Sequence, residues 1–92
     1  MEFEWDPKKA GANAQQHGVT FQEAATLFED PLAITFEDPD HSKDEDENRY
    51  ITFGLSIRKR LLVVSHTERT DRTRIISARP MDRKERIIYE EG

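Results

Sequence analysis

The chain has no cysteine, only four glycines and four prolines in 92 residues, and no aliphatic run longer than Leu61-Leu62-Val63-Val64. Without cysteine there are no disulfides, no thiolate nucleophile and no Cys-ligated zinc or iron–sulfur centre, and the chain suits a reducing compartment. The aliphatic run is too short to cross a bilayer. The opening Met1-Glu2-Phe3-Glu4-Trp5-Asp6 lacks the basic region and apolar stretch of a signal peptide. A cytoplasmic protein with no membrane association is expected. Also missing are a glycine-rich phosphate loop, paired histidines at metal-ligand spacing and a serine in a nucleophile elbow, which argues against most cofactor chemistry. Neither a cofactor nor a metal is expected.

What is present in quantity is charge, at 36% of residues with a net of −5. The total conceals a division. Residues 1–48 hold 13 acids against three lysines, a net of −10, whereas residues 49–92 hold 11 Lys or Arg against six acids, a net of +5. An acidic average argues against a nucleic-acid partner, because phosphate binding is driven by Lys and Arg releasing counterions. The basic second half points the other way and predicts an anionic partner for residues 49–86.

The length allows one domain, residues 1–92, with a single core. Phe3 and Trp5 alternate with acids as in a short strand. Asp6 as cap, Pro7 in the first helical position and Gly18 at the end predict a helix over 7–17. Thr20-Phe21-Gln22-Glu23 reads as a capping box opening a second helix over 21–29, with Phe21, Ala24, Ala25 and Phe28 as its buried stripe and Asp30-Pro31 as its stop. Trp5, Phe21, Phe28 and Phe36 have the periodicity of packing residues. Ala33 to Glu37 alternates as a strand. Asp38 to Asn48, with seven charged residues and no aliphatic side chain, reads as a loop.

Within that loop, Asp44 to Asn48 imitates the start of a calcium site, but the required sixth-position glycine is Arg49 and the twelfth-position acid is Leu55. His41 with Asp38, Asp40 and Asp44 has no defined ligand spacing. Arg49 to Ser56, Arg60 to Glu68 and Arg72 to Arg79 follow as an antiparallel meander joined by hairpin loops at 57–59 and 69–71, and Pro80 ends the sheet. Asp82-Arg83-Lys84-Glu85 is a second capping box, opening a last helix to Glu90 or Glu91. The order β-α-α-β-β-β-β-α makes an α+β domain with helices against one face of an antiparallel sheet.

The reactive side chains concentrate between His66 and Arg83. His66 and Glu68 are two apart in a strand and share a face, which places a proton-transfer pair at the strand's end. The blander reading of His66 is a hydrogen-bonded structural residue. Arg69, Arg72, Arg74 and Arg79 supply guanidinium forks that match phosphate. By strict alternation Arg74 and Arg79 face opposite ways, so they reach one site only if a bulge or the strand end redirects Arg79. His17, at a helix C-terminus, reads first as a cap. His, Glu, Arg and Tyr89 without a metal suit RNA cleavage in which a base activates the ribose 2′-OH against the adjacent phosphate.

Phe3-Glu4-Trp5-Asp6-Pro7-Lys8-Lys9, Asn13, His17-Gly18-Val19-Thr20-Phe21, Ala24-Ala25 and Phe28 to Pro31 resemble the N-terminal signature of the BrnT toxins of type II toxin–antitoxin systems. Arg49-Tyr50-Ile51-Thr52, Gly54, Leu62-Val63-Val64, His66 to Arg69, Arg74 to Arg79 and Glu85-Arg86 through Tyr89-Glu90 continue the resemblance to nearly the end of the chain. It implies a RelE-like ribonuclease fold and a toxin that halts translation by cleaving RNA. It also implies a BrnA-type antitoxin partner with a DNA-binding ribbon-helix-helix region, through which alone the complex reaches operator DNA.

The family's function falls on His66, Glu68, Arg74 and Arg79 as catalytic residues and on Tyr89 as a substrate contact; Arg69, Arg72, Lys8 and His17 are further substrate contacts expected of this chain's own cations. One departure is Gln16, where the family commonly has lysine. Together with the acidic average, it motivates an alternative: a catalytically weak module that binds the antitoxin and acts in operator autoregulation.

Overall fold

The structure is a computed structural model that describes residues 1–38 and 48–92. The bulk of the charged loop, including His41, Asp40, Asp44 and the calcium-like segment, lies outside the described residues. The elements are β1 (Phe3–Glu4), α1 (Pro7–His17), α2 (Phe21–Thr26) continuing as a 3-10 turn (Leu27–Glu29), β2 (Ile34–Glu37), β3 (Arg49–Leu55), β4 (Leu61–Glu68), β5 (Thr73–Pro80) and α3 (Arg83–Glu91). Their order is the expected one. Local chemistry sets α1: the Asp6 side chain accepts from the Lys8 amide, Pro7 starts the helix, and Gly18 closes it at φ 69°, in the left-handed region that glycine tolerates.

Five strands form one sheet in the order β1-β5-β4-β3-β2. Three of the pairings are antiparallel, but β1 runs parallel to β5 through Phe3↔Thr73 and Glu4↔Arg74. The sheet is therefore mixed rather than wholly antiparallel, because the chain returns to its first strand only after the whole meander. On one face α1 and α2 cover Leu62, Val64, Ile75 and Ala78, enclosing Val19, Phe21, Ala24 and Leu27. Full burial of side chains such as Phe21, Leu27 and Leu62 contributes about 1.5–3 kcal/mol each.

On the other face α3 covers a smaller cluster of Phe53, Val63 and Met81, with Tyr89 packed against it. Helices thus lie on both faces, not one. The reason is that β5 carries Val63's partner Arg79 outward on that second face, where it meets Glu85 of α3. Phe36, expected to pack, stands 41% exposed on this more open face, edge to Phe53 at 5.3 Å.

Two details lie beyond local sequence signals. The Thr20 hydroxyl accepts from the Glu23 amide, but the Glu23 carboxylate does not return to complete a capping box; it turns to Arg60 and Ser56. Asn13 in α1 donates to the Ala78 carbonyl at 2.8 Å and accepts from the Ala78 amide at 3.0 Å. Its amide therefore continues the ladder along β5 where the two-residue β1 has ended.

Candidate functional site

His66 sits near the end of β4 on the helix-covered face. Leu62 and Val64 precede it at two-residue intervals, so the alternation that builds the core also carries the imidazole inward. The ring lies between Phe28, edge-on at 5.0 Å, and Tyr50, stacked at 6.0 Å, and is 2% exposed. Both ring nitrogens have partners: Nε2 is 2.7 Å from Thr52 Oγ1 and Nδ1 is 2.6 Å from Glu68 Oε2. Burial pushes the imidazole pKa below its ordinary value, more strongly than the Glu68 carboxylate raises it, so the ring is neutral at pH 7.

With one ring proton, on Nδ1, every hydrogen bond in the network is satisfied in one direction. Thr35 donates to Thr52 at 2.8 Å, Thr52 donates to Nε2, and Nδ1 donates to Glu68. Thr73 donates to the other Glu68 oxygen at 2.8 Å. Two neutral donors thus fix a carboxylate whose side chain remains 47% exposed. Within the pair, Glu68 is the exposed member and His66 the buried one.

At the same end of the sheet, the turn after β4 and the start of β5 bring three arginines around one acid. Glu4 of β1 has Arg69 Nε at 3.1 Å and Arg74 Nη1 at 3.1 Å from Oε2, and Arg72 Nη1 at 3.4 Å from Oε1. Arg72 also pairs with Asp71 at 3.1 Å. The guanidinium groups hold the Glu4 carboxyl below the usual carboxylate range against the opposing effect of desolvation. This end of the sheet therefore combines an oriented carboxylate with a concentration of cations.

A shift of register between Ser65 and His66 changes the parity of β5. Thr67 pairs with Arg74 and Val63 with Arg79, so the two arginines, which strict alternation would separate, stand on the same face. That face is opposite to the one carrying His66 and Glu68. The two pairs are four residues apart on β4, about 13 Å of strand. Arg79 forms a bidentate pair with Glu85 at 2.8 and 2.7 Å, and this carboxylate raises the Arg79 pKa. Thr67, cross-strand from Arg74, has a buried hydroxyl with no hydrogen-bond partner among the described residues.

The remaining expected contacts are dispersed. Lys8 is exposed in the first turn of α1. His17 ends the same helix, next to Gly18, whose carbonyl accepts from Arg60 at 2.9 Å; that is the β3–β4 hairpin end, away from Glu68. Tyr89 donates to Asp30 at 2.6 Å, and Asp30 also accepts from the Leu55 amide, so Tyr89 is at the hairpin end as well. Its phenol is pushed up to about 12 by desolvation and the Asp30 carboxylate. A cleft lined by Thr26, Asp30, Leu55, Ile57 and Lys59 lies there too, remote from the arginines.

The structure thus gathers His66, Glu68, Arg69, Arg72 and Arg74 at one end, with Arg74 on the opposite face from His66 and Glu68, and leaves Arg79, His17 and Tyr89 elsewhere. The residue reading missed Glu4, Thr52 and Thr73. A polar residue at each two-residue step beside His66 was the available signal for Thr52 and Thr73, but nothing local announces Glu4. Among the described residues no three His, Asp or Glu side chains converge as a metal-ligating group, and no helix is long and apolar enough to cross a membrane.

The fold is that of a small α+β domain with three guanidinium groups gathered at one end of its sheet. The chain belongs to the family described as the ribonuclease toxin BrnT of type II toxin–antitoxin systems, whose family model matches residues 5–85. Among solved structures, the Brucella abortus ribonuclease toxin BrnT is similar with a TM-score of 0.69, over 90% of this chain and 99% of that one. At 19% identity this likeness is one of fold. No curated protein matches the sequence.

Proposed function

We propose that the protein is a cytoplasmic endoribonuclease toxin that stops translation by cleaving RNA without a metal, and that a BrnA-type antitoxin with a ribbon-helix-helix region neutralises it and carries the complex to operator DNA. The observation that supports this best is the exposed, doubly oriented Glu68 carboxylate at the same sheet end as Arg69, Arg72 and Arg74. Glu68 takes the proton of a ribose 2′-OH. The 2′ oxygen bonds to the adjacent phosphorus as the bond to the 5′ oxygen breaks, and the departing oxygen takes a proton from water. Guanidinium groups of Arg69 and Arg72, in the turn that follows Glu68, balance the charge that grows on the phosphoryl oxygens, and Arg74 on the opposite face holds the strand as it passes the sheet end.

In this reading His66 is a positioning residue, because its buried ring touches Glu68 and not the substrate. Arg79 contacts the RNA further along the open face, about 13 Å of strand from Arg74, after release from Glu85. The test is cleavage of RNA in EDTA: wild type cuts and Arg74→Ala, equally folded, does not. Equal inertness of the two rejects the assignment.

One observation favours the second reading, a catalytically weak antitoxin-binding co-repressor. Each of Arg72, Arg74 and Arg79 already faces a carboxylate of its own chain. Expression without the antitoxin separates the two readings. A pure co-repressor leaves growth and mRNA levels untouched, whereas the toxin arrests growth.

A further inference from the structure

The two edges of the sheet differ in how their backbone groups are satisfied. At one edge β1 has only two residues, and beyond it Asn13 of α1 takes up the amide and the carbonyl of Ala78 on β5. At the other edge β2 pairs with β3 on one side and, among the described residues, with no strand on its outer side. The Asp38 amide donates to the Arg49 carbonyl at 2.8 Å, and the same register runs on through Phe36↔Ile51 and Ile34↔Phe53. In an antiparallel pair every second residue turns its backbone toward the partner strand. Ile34 and Phe36 therefore bond to β3, while the N–H and C=O groups of Thr35 and Glu37 point away from it. Neither a proline, a lysine nor a bulge blunts this edge over residues 34–37.

The side chains beside that edge state what would fit. A strand added to β2 turns its side chains alternately to the two faces of the sheet. On one face it meets Ile34 and the exposed ring of Phe36, and on the other Thr35 and Glu37, both exposed. The first face calls for an apolar side chain and the second for a cation opposite Glu37. A second copy of this chain suits the edge poorly: residues 1–48 carry a net of −10, and joining two such halves sets like charge against like.

We propose that β2 is the docking edge for the antitoxin, and that an extended antitoxin segment alternating apolar residues with Lys or Arg adds there as a further strand, bonded to the backbone of Thr35 and Glu37. The inference rests on the antitoxin reading above, but not on cleavage.

The experiment follows amide hydrogen exchange, residue by residue, in the full-length protein alone and in the complex purified after co-expression with its antitoxin. In the free protein the Thr35 and Glu37 amides should exchange faster than those of Ile34 and Phe36. In the complex they should slow by at least about tenfold, because exchange then requires release of the added strand. Two variants test the contacts, by competition with wild type for the antitoxin. Glu37→Pro removes an outward N–H and leaves the bonds to β3 in place, whereas Glu37→Lys keeps that N–H and reverses the charge. Each should weaken binding about fivefold, the contribution of one hydrogen bond or one surface ion pair.

Should Glu37→Pro fail to fold, Glu37→Lys and the exchange of wild type carry the test. Thr35 and Glu37 amides already protected in the free monomer, or still fast in the complex, overturn the proposal. Protection that appears as the free protein self-associates also overturns it and places a second copy at the edge. Wild-type affinity in both folded variants does the same. If a complex forms with its protection elsewhere, only the assignment of β2 falls. If no complex forms, the antitoxin reading falls with it.

Discussion

Two acids at opposite ends of the sheet are each held by arginine, and they do different work. Glu23, whose side chain is 4% exposed, takes Arg60 Nε at 2.9 Å, a second contact from the same guanidinium and the Ser56 hydroxyl at 2.7 Å. One cation meets one anion inside the protein, and α2 is fastened to the β3–β4 hairpin. Glu4 is more exposed and meets three cations. Enclosure marks Glu23 as a joint of the fold, whereas Glu4 and its arginines lie at an exposed end of the sheet.

The comparison is tested hardest where the largest effect is expected, at the other exposed carboxylate of that sheet end, Glu68. Glu68→Gln should lower RNA cleavage about 10²- to 10⁴-fold, the usual contribution of a general base. Unfolding by urea should change little, since Gln can accept from His66 through its carbonyl oxygen and donate to the Thr73 hydroxyl through its NH2. A variant that cuts at the wild-type rate would move the chemistry away from this end.

Arg60→Ala should act oppositely, on stability and not on the chemistry. It strands the enclosed Glu23 carboxylate and should cost about 2–3 kcal/mol in urea unfolding, below the full cost of breaking a buried pair because Arg60 is itself 36% exposed. Arg72→Ala, at the exposed end, should leave urea unfolding unchanged. Similar losses for the two arginines would erase the distinction.

Acid should affect both ends, with a defined sign. The pKa values of Glu4, Glu23, Asp30 and Glu85 are depressed in the folded state, so their contribution is present above the ordinary carboxylate range and is lost as pH falls through their folded values. His66 is depressed as well, so decline begins once pH drops below the unfolded histidine value of about 6.5. Thermal melts from pH 7 to pH 3 should show this monotonic loss.

The smallest effect is expected at Tyr89→Phe, which removes one hydrogen bond to Asp30 and should cost about 1 kcal/mol. The raised phenol titrates near 12, so its contribution is complete below about 10 and fades as pH rises through 12. An absorbance titration in which Tyr89→Phe removes a late phenolate transition checks this.

What could be read from sequence divides along the same line as the two acids. The limits of α1 were legible because Asp6, Pro7 and Gly18 act within a turn of each other, and Asp82 with Glu85 forms its capping box as read. The inward face of β4 was legible from Leu62, Val64 and His66. Glu23 was misassigned as a cap because the partner that wins it, Arg60, is 37 residues away. The partner of Glu4 is 70 residues away across a parallel pairing that no hairpin announces. The shift at Ser65 and His66 that puts Arg74 and Arg79 on one face leaves no residue signature, as neither glycine nor proline stands there.

The central claim is that Glu68 and the neighbouring arginines form a site that uses the ribose 2′-OH. Its most direct test is a DNA strand containing one ribonucleotide, incubated in EDTA with wild type and with Glu68→Gln. The account predicts a single cut 3′ of that ribonucleotide by wild type, leaving a cyclic phosphate, and at least a hundredfold slower cutting by the variant. Cutting at deoxynucleotides, or equal rates from both proteins, would contradict it.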